Sequence, residues 1–254
     1  MKIKMVALDL DGTLLCNDKT ISNYSKFVIQ QCREKGIKVI FATVRGTTDD
    51  IVPYELFDGC VKKSGAAAYA GDKLIYERIM PIDDVRALLL ACDKADLKTV
   101  AQNSTDGIHY ANFNVSEMWP YITNFKIADF ALIKFDADKI YIITETVGSV
   151  NFIKNNLPRG VNIFTSRDNI TFISHEEAVK SKATAALAEH WGIRQDEIVG
   201  FGDDLIDIDM LQYCGIGVAM GNALSEVKEA ADYVCDMNEN DGAAKWIEQH
   251  ILLP

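Results

Sequence analysis

Met5-Val6-Ala7-Leu8-Asp9-Leu10-Asp11-Gly12-Thr13 joins a short apolar run to two carboxylates and a glycine near the start of the chain. The run predicts a strand, and side chains two residues apart in a strand point to the same face. Asp9 and Asp11 would therefore emerge together beside Gly12, which lets the backbone turn sharply. Such a pair can hold a divalent cation and act as nucleophile and proton carrier. An ordinary Asp-Gly hairpin turn is the alternative.

The first third of the chain alternates strands and helices around this stretch. A helix is predicted from about Asn23 to Lys35, with Ser22 as its N-cap and Gly36 ending it in a left-handed turn. The continuous apolar run Ile37 to Ala42 then predicts a strand that is buried on both faces of a parallel sheet.

The pattern changes between residues 82 and 181. A helix from about Asp84 to Ala95 precedes short strands with helical stretches between them, which is typical of an α+β unit. From Ser181 onward the alternation of the first third returns. We therefore expect an α/β fold in which residues 1–81 and 182–254 form a parallel-sheet core, and residues 82–181 form a separate inserted domain.

Composition argues against several classes of partner. The 254 residues carry a net charge of −11 and contain no cluster of Lys and Arg, so we expect no nucleic-acid partner. The six cysteines form no Cys-x-x-Cys pair and no His lies at a zinc-like spacing, which predicts reduced thiols in a cytoplasmic protein. No segment resembles a signal peptide or a membrane span, so no membrane partner is expected.

A second acidic stretch, Gly202-Asp203-Asp204-Leu205-Ile206-Asp207, also follows an apolar strand and precedes a helix. Ligands of open parallel sheets bind beyond the carboxyl ends of the strands, so these acids and the Asp9/Asp11 pair can share one crevice. Asp9, the backbone carbonyl of Asp11 and Asp203, with Asp207 nearby, would suit the oxygen coordination of Mg²⁺. A helix N-cap is the alternative role for the first acids of this stretch.

Two more polar residues stand at the ends of predicted elements. Thr43 follows the second strand, where its hydroxyl and the next backbone amides can hold a phosphate oxygen. Lys182 stands at the start of a helix, where a cation opposes the helix dipole unless an anion lies close by. Each residue alone has an ordinary explanation, a loop threonine and a surface lysine, so their meaning depends on the whole set.

The set resembles the four motifs of the haloacid dehalogenase superfamily, in the same order and context. The matching residues are Asp9-x-Asp11-Gly12-Thr13, Thr43, Lys182 and Gly202-Asp203-x-x-x-Asp207. The insertion and the stretch Gly215-Ile216-Gly217-Val218-Ala219-Met220-Gly221-Asn222-Ala223 are similar to the Cof-type phosphatases of that superfamily, subfamily IIB with a C2-type cap. The resemblance covers essentially the whole chain and implies a Rossmann-like core with an inserted α+β cap.

The resemblance implies a phosphatase that works in two steps. Asp9 would attack phosphorus and form an aspartyl phosphate, while Asp11 would protonate the leaving alcohol and then activate water. Asp11 would need its pKa raised by the neighbouring carboxylate and the phosphate. Mg²⁺ and Lys182 would offset the negative charge, and Thr43 would contact the phosphate. Further phosphate or substrate contacts are expected from Gly12, Val44, Arg45 and Asn222, and metal contacts from Asp9, Asp11, Asp203 and Asp207.

Five residues beside the motifs depart from the usual Cof-type pattern: Val44, Ser64, Ala178, Ala183 and Ile206. Val44 stands where glycine is usual, and it would be strained if the backbone there needed a positive φ. Ser64 replaces an asparagine, and Ala178 and Ala183 replace glycines that flank the motif lysine. Ile206 replaces an asparagine whose amide could bond to the lysine, the phosphate or Asp207.

The expected activity is hydrolysis of a small phosphorylated metabolite by a Mg²⁺-dependent phosphatase, with sugar phosphates as the leading class. The altered positions leave open a non-catalytic or weakly catalytic regulatory protein that binds a phosphorylated ligand, and a phosphomutase is a further alternative. The inserted domain is expected to select the substrate. Its candidate polar contacts are Asn103, Asp106, His109 and Asn114, for which solvated loop positions are the alternative.

Overall fold

The computed structural model describes residues 2–46, 48, 51–120, 122–166 and 169–253. The chain divides into two compact units, one comprising Met1–Glu77 with Val179–Pro254 and the other Arg78–Ala178. The inserted unit thus begins and ends a few residues before the expected bounds of 82 and 181. It begins earlier because Met80 already pairs with Ala137 of the insert, and it ends earlier because the next helix begins at Lys180.

The described residues form fourteen strands and seven α-helices. The strands are β1 (Met5–Asp9), β2 (Lys38–Ala42), β3 (Gly59–Lys62), β4 (Ala67–Ala70), β5 (Lys73–Glu77), β6 (Thr99–Asn103), β7 (His109–Ala111), β8 (Phe125–Ile127), β9 (Ala137–Ile143), β10 (Val161–Thr165), β11 (Ile170–His175), β12 (Ile198–Gly202), β13 (Ile216–Ala219) and β14 (Tyr233–Val234). The helices are α1 (Asn23–Glu34), α2 (Ile82–Lys94), α3 (Val147–Asn155), α4 (Lys180–His190), α5 (Ile208–Tyr213), α6 (Ser225–Ala230) and α7 (Gly242–Ile247). Across this part of the chain, no helix has both the length and the apolar composition that crossing a bilayer requires.

The unit that contains both chain ends is built on one sheet with the strand order β14-β13-β12-β1-β2-β3-β4-β5. The strands from β14 to β3 run parallel, and β4 and β5 are antiparallel additions at one edge. Strand β1 lies between β12 and β2, and Asp9 at its end pairs in register with Ala42. The carboxyl ends of these three strands therefore meet at one edge of the sheet, as ligand-binding parallel sheets require.

Alternating residues of β1 face two different layers of helices. Val6 and Leu8 belong to a core that includes Val28 of α1 and Trp246 of α7. Met5 and Ala7 belong to a second core with residues of α4 and α5. Because all five residues of β1 are buried, the sheet is covered on both faces, which confirms the α/β fold class.

Helix α1 begins and ends where its sequence predicts. The Ser22 side chain accepts a hydrogen bond of 2.9 Å from the backbone amide of Ser25, which is the expected N-cap. Gly36 adopts a φ of +77° directly after the helix, and its amide donates to the carbonyl of Arg33.

The inserted unit has a six-stranded sheet with the order β10-β11-β9-β6-β7-β8, antiparallel except for β7 and β8. Helices α2 and α3 cover one face, where Leu88, Leu89 and Ile153 pack against Ile140 and Ile142 of β9. The edge strands β8 and β10 have no counterpart in the expectations from sequence. They are short and largely exposed, so they lack a strong apolar pattern.

Candidate active site

A buried lysine bridges two aspartates, one of which is the last residue of β1. The Nζ atom of Lys180 lies 2.6 Å from Oδ1 of Asp9 and 2.5 Å from Oδ1 of Asp207. All three residues are buried, and Lys180 is 1 % exposed. Asp9 comes from the first strand, whereas Lys180 and Asp207 come from helix starts in the second segment of the same unit.

The lysine of this cluster is Lys180, and the expectation that it is Lys182 is wrong. Helix α4 begins at Lys180, and positions two apart in a helix point about 200° from each other. Lys180 shares the buried face of α4 with Ala183 and Leu187, whereas Lys182 is exposed on the other side. The residues that flank the motif lysine are therefore Val179 and Ser181, so the Ala178 and Ala183 departures do not stand beside it as expected.

Burial sets the ionisation of the acidic groups. It raises the pKa of Asp9 well above the ordinary value, Lys180 lowers it, and the nearby carboxylates of Asp207 and Asp203 add to the rise. Burial also raises the pKa of Asp203 to about 6. For Lys180, burial lowers the pKa but Asp207 and Asp9 raise it more, so this side chain stays protonated. Three carboxyl groups lie around one ammonium group, and a bound cation would favour their charged forms.

The three carboxylates are arranged as a possible metal site. Asp9, Asp203 and Asp207 each offer an oxygen, and these atoms lie within 4.8 Å of one another. The hydroxyl of Thr13 donates to Oδ1 of Asp203 at 2.9 Å, which fixes its orientation. An all-oxygen set of this kind fits Mg²⁺. The side chain of Asp11 is not in the cluster, so a contact through its backbone carbonyl stays a prediction.

Asp11 is held by two cations. Arg45 donates from Nε to Oδ2 at 2.7 Å and from Nη2 to Oδ1 at 2.8 Å, and Lys19 donates to Oδ1 at 2.8 Å. The hydrogen bonds from Arg45, helped by Lys19 and opposed by burial, lower the pKa of Asp11 to about 2. The expected rise depends on bound phosphate, so it stays a prediction, whereas the chain without phosphate has a lowered pKa. The sequence reasoning did not identify Lys19, which approaches Asp11 through a turn with a φ of +67°.

The loop after β2 is shaped by a turn that follows β3. Thr43 is buried, its hydroxyl accepts a hydrogen bond from the amide of Arg45 at 3.2 Å, and its carbonyl accepts one from the amide of Ser64 at 3.1 Å. Val44 is exposed and does not have a positive φ, so the strain considered for it does not arise. The positive φ values occur at Lys63 and Ser64, 55° and 60°. Contacts of Thr43 and Val44 with phosphate stay predictions.

Gly12 cannot be replaced by a larger residue without moving a carboxylate of the acidic cluster. Its φ is +84°, and an added Cβ would lie 2.3 Å from Oδ2 of Asp203. Asn222 donates from Nδ2 to the carbonyl of Gly12 at 2.7 Å and accepts from the amide of Asn238 at 3.0 Å. Asn222 therefore positions the Gly12 turn, and its contact with phosphate stays a prediction.

The isoleucine at position 206 does not leave Asp207 without partners. Oδ2 of Asp207 accepts hydrogen bonds from the backbone amides of Asp203 at 3.0 Å and Asp204 at 3.1 Å, and Oδ1 contacts Lys180. The amide that asparagine would supply at position 206 is thus not needed to orient this carboxylate.

Three of the four candidate contacts in the insert take part in local turns. Their side-chain oxygens accept from neighbours in the chain: Asn103 from the Thr105 amide, Asp106 from the Ile108 amide, and Asn114 from the Ser116 hydroxyl. Such bonds are typical of loop structure and do not indicate a binding site. His109 differs, because it lines a cavity of the insert.

The chain resembles known proteins along almost its whole length. Residues 6–247 match the family described as haloacid dehalogenase-like hydrolases. A Haemophilus influenzae protein with a provisional phosphatase name is 30 % identical, with 98 % of each chain covered. The 5-amino-6-(5-phospho-D-ribitylamino)uracil phosphatase YcsE of Bacillus subtilis is also 30 % identical, with 98 % of this chain and 96 % of the relative covered.

The fold has a counterpart among solved structures. A phosphatase of the haloalkanoate superfamily from Bacteroides thetaiotaomicron aligns with a TM-score of 0.83 and 24 % identity, over 98 % of this chain and 95 % of that one. At this identity the likeness supports the fold alone.

Proposed function

The chain belongs to the haloacid dehalogenase-like hydrolases and is a phosphatase of the Cof type, and from this premise we propose that it cleaves a small phosphate monoester through an aspartyl phosphate on Asp9. The observation that carries the proposal is the position of Asp9. Its carboxylate is buried, bonded to Lys180, and within metal-sharing distance of Asp203 and Asp207. A nucleophilic carboxylate needs such local positive charge when a phosphate dianion approaches.

Sugar and polyol phosphates are the substrate class that we propose. The Bacillus subtilis relative is named for a substrate that carries its phosphate on a ribityl chain, and it is 30 % identical to this chain. The net charge of −11 makes general attraction of anions unfavourable, so the phosphate must be met by local cations. Lys19, Arg45 and Lys180 supply three of them at the strand ends.

In the first step, a carboxylate oxygen of Asp9 forms a bond to phosphorus as the bond from phosphorus to the leaving oxygen breaks. The leaving oxygen takes a proton from the carboxyl group of Asp11. In the second step, water attacks phosphorus, its proton passes to the carboxylate of Asp11, and the bond between Asp9 and phosphorus breaks. Lys180 stays charged through both steps and offsets the charge on Asp9.

Asp11 must gain a proton before it can act as an acid, and Arg45 opposes this in the free chain. We place the change at substrate binding, when the guanidinium group leaves Asp11 for the more highly charged phosphate oxygens. The carboxyl group then loses its strongest hydrogen bonds and lies beside new negative charge, and both effects raise its pKa.

Mg²⁺ is the cofactor that we propose, held by Asp9, Asp203 and Asp207. When bound it would supply charge stabilisation for the transferring phosphoryl group. Asp203 and Asp207 are oriented for this role by Thr13 and by backbone amides, respectively. The six free cysteines suit a reducing compartment, and we include a cytoplasmic location in the proposal.

The test is release of inorganic phosphate from p-nitrophenyl phosphate and from a panel of sugar and polyol phosphates, with and without Mg²⁺. Asp9→Asn should lower kcat by at least about 10³-fold, as loss of a covalent nucleophile does. Asp72→Asn, an exposed carboxylate in the turn between β4 and β5, is the matched control and should keep full activity. Unchanged turnover in Asp9→Asn would exclude the proposed nucleophile.

A further inference from the structure

The two faces of the sheet in the inserted unit differ in how they are covered. Residues Ala101, Ile140, Ile142 and Ile173 point to the face that α2 and α3 fill completely. The alternate residues of the same strands point to the opposite face, as the two-residue repeat of a strand requires. On that face the loop between β7 and β8 covers the sheet only partly.

A cavity of about 230 Å³ lies between that loop and the strands. Its lining includes four ring-bearing side chains, His109, Trp119, Tyr141 and Phe172, together with Ile122 and Ile170. The rings are partly exposed although fully buried residues lie beneath them. Aromatic and aliphatic linings with few polar groups are typical of small-molecule sites.

The rings of the cavity are fixed in place. Tyr141 and Phe172 meet edge to face, with centroids 5.4 Å apart and planes at 73°. The Tyr141 hydroxyl donates to Oε1 of Gln102 at 2.9 Å, and the His109 ring is 6.0 Å from the Tyr141 ring. Because these side chains are already held, a ligand that stacks on them costs little additional side-chain entropy. This favours a flat ligand.

The His109 side chain gives the cavity a hydrogen-bonding group. Nδ1 of His109 faces the carbonyl of Asn124 at 3.3 Å and must donate to it, which leaves Nε2 as an acceptor. Burial lowers the pKa of His109, so the ring is neutral at pH 7.

We propose that this cavity of the inserted unit binds a planar nitrogen heterocycle that carries an N–H donor. Stacking on the face of one of the Tyr141 and Phe172 rings, contact with the other ring, and an N–H bond to His109 would recognise the flatness and the donor of such a ring. The site is defined by residues of one unit and does not rest on the phosphatase proposal, because binding can be measured without turnover.

The probe is uracil, titrated into the full-length chain and followed by calorimetry and by saturation-transfer NMR of the uracil protons. The matched control ligand is 5,6-dihydrouracil, which keeps the donors and acceptors but is saturated and not flat. We expect uracil to bind saturably and dihydrouracil to bind about tenfold more weakly, because stacking of a base on an aromatic ring is lost. Absence of uracil binding, or equal binding of the two ligands, would overturn the proposal.

Variants locate the binding. Phe172→Leu should weaken uracil binding about tenfold, whereas Phe27→Leu should leave it unchanged. Phe27 is the matched control, because it is exposed on α1, lies outside the inserted unit and does not line the cavity. Trp119→Leu, in the partly exposed loop, gives a second lining variant if Phe172→Leu does not fold. Uracil binding that survives both lining variants would show that the cavity is not the site.

Discussion

The guanidinium group of Arg45 donates two hydrogen bonds, 2.7 Å and 2.8 Å long, to the carboxylate of Asp11. Paired bonds of this kind are the strongest that a carboxylate makes with a side chain. They hold Asp11 in its deprotonated form, with a pKa of about 2, although Asp11 is the residue that is expected to carry the proton. The free chain is therefore not primed for acid catalysis, and the arrangement around Asp11 can be tested in several ways.

Arg45→Gln should raise the pKa of Asp11 toward its ordinary value. A carboxyl group whose pKa is lowered on folding stabilises the fold above its unfolded pKa, and this contribution is lost as the pH falls through the folded value. Between pH 5 and pH 2 the wild type should lose on the order of 1 kcal/mol more stability than the variant, since solvent partly screens the pair. Urea unfolding of the metal-free proteins at both pH values measures the difference.

The control for this experiment is Arg194→Gln. Arg194 also contacts an aspartate through two bonds, at 2.9 Å and 3.1 Å, but both side chains are largely exposed. Its removal should change the pH dependence little. If both variants behave alike, the Arg45 contact does not set the pKa of Asp11.

Lys180→Met and Lys182→Met should have opposite outcomes although the two lysines are neighbours on one helix. Removal of Lys180 leaves two buried carboxylates without their counter-charge and should cost about 3–5 kcal/mol of unfolding free energy. Lys182 is exposed, and its replacement should stay within about 0.5 kcal/mol. Chemical denaturation measures both, and phosphatase activity should be lost only in Lys180→Met. An equal loss in the two variants would contradict the assignment.

Mg²⁺ affinity should depend on pH through Asp203. Because burial raises its pKa to about 6, protons compete with the metal below that value. We expect affinity to fall at least about tenfold for each pH unit below pH 6, since Mg²⁺ must displace the proton of Asp203 there, and Asp9, whose pKa burial also raises, adds to the dependence. Calorimetric titration of the metal-free chain measures this. Asp72→Asn is the control, because Asp72 is exposed in the turn between β4 and β5 and lies outside the carboxylate cluster.

Comparing Gly12→Ala with Gly36→Ala separates the effect of a steric clash from the effect of backbone strain. Both glycines have positive φ values, 84° and 77°, but only the Cβ at position 12 would meet another group, Asp203. Each change should cost about 1–2 kcal/mol of stability from the backbone conformation. Only Gly12→Ala should also weaken Mg²⁺ binding, because it displaces a carboxylate of the cluster. Unchanged Mg²⁺ affinity in Gly12→Ala would mean that Asp203 is not a ligand.

The strand-end carboxylates were predictable from sequence because the strand pattern is local. An apolar run followed by Asp9 and Gly12 defines a strand, its end and its turn without reference to the rest of the chain. The same holds for the Ser22 cap and the Gly36 turn of α1, whose signals lie within a few residues of each other.

The identity of the lysine was missed because the start of a helix is uncertain by a few residues from sequence alone. A usable signal did exist. Lys180 lies three and four residues before Ala183 and Thr184, and seven and eight before Leu187 and Ala188, so it continues their buried stripe. Lys182 falls outside that stripe. The Asp11 contacts with Lys19 and Arg45 had no such signal, because they depend on how two loops fold over one another.

The residues of the ion cluster are synthesised at widely separated times. Asp9 and Lys180 are 171 residues apart, and the whole insert is made between them. The strand that carries Asp9 leaves the ribosome long before Lys180, so a nascent chain exposes an acidic strand end without the counter-charge of that lysine. Chains that stop at the end of the insert lack Lys180 and Asp207, so the ability to process phosphate should appear only after Asp207 has been made.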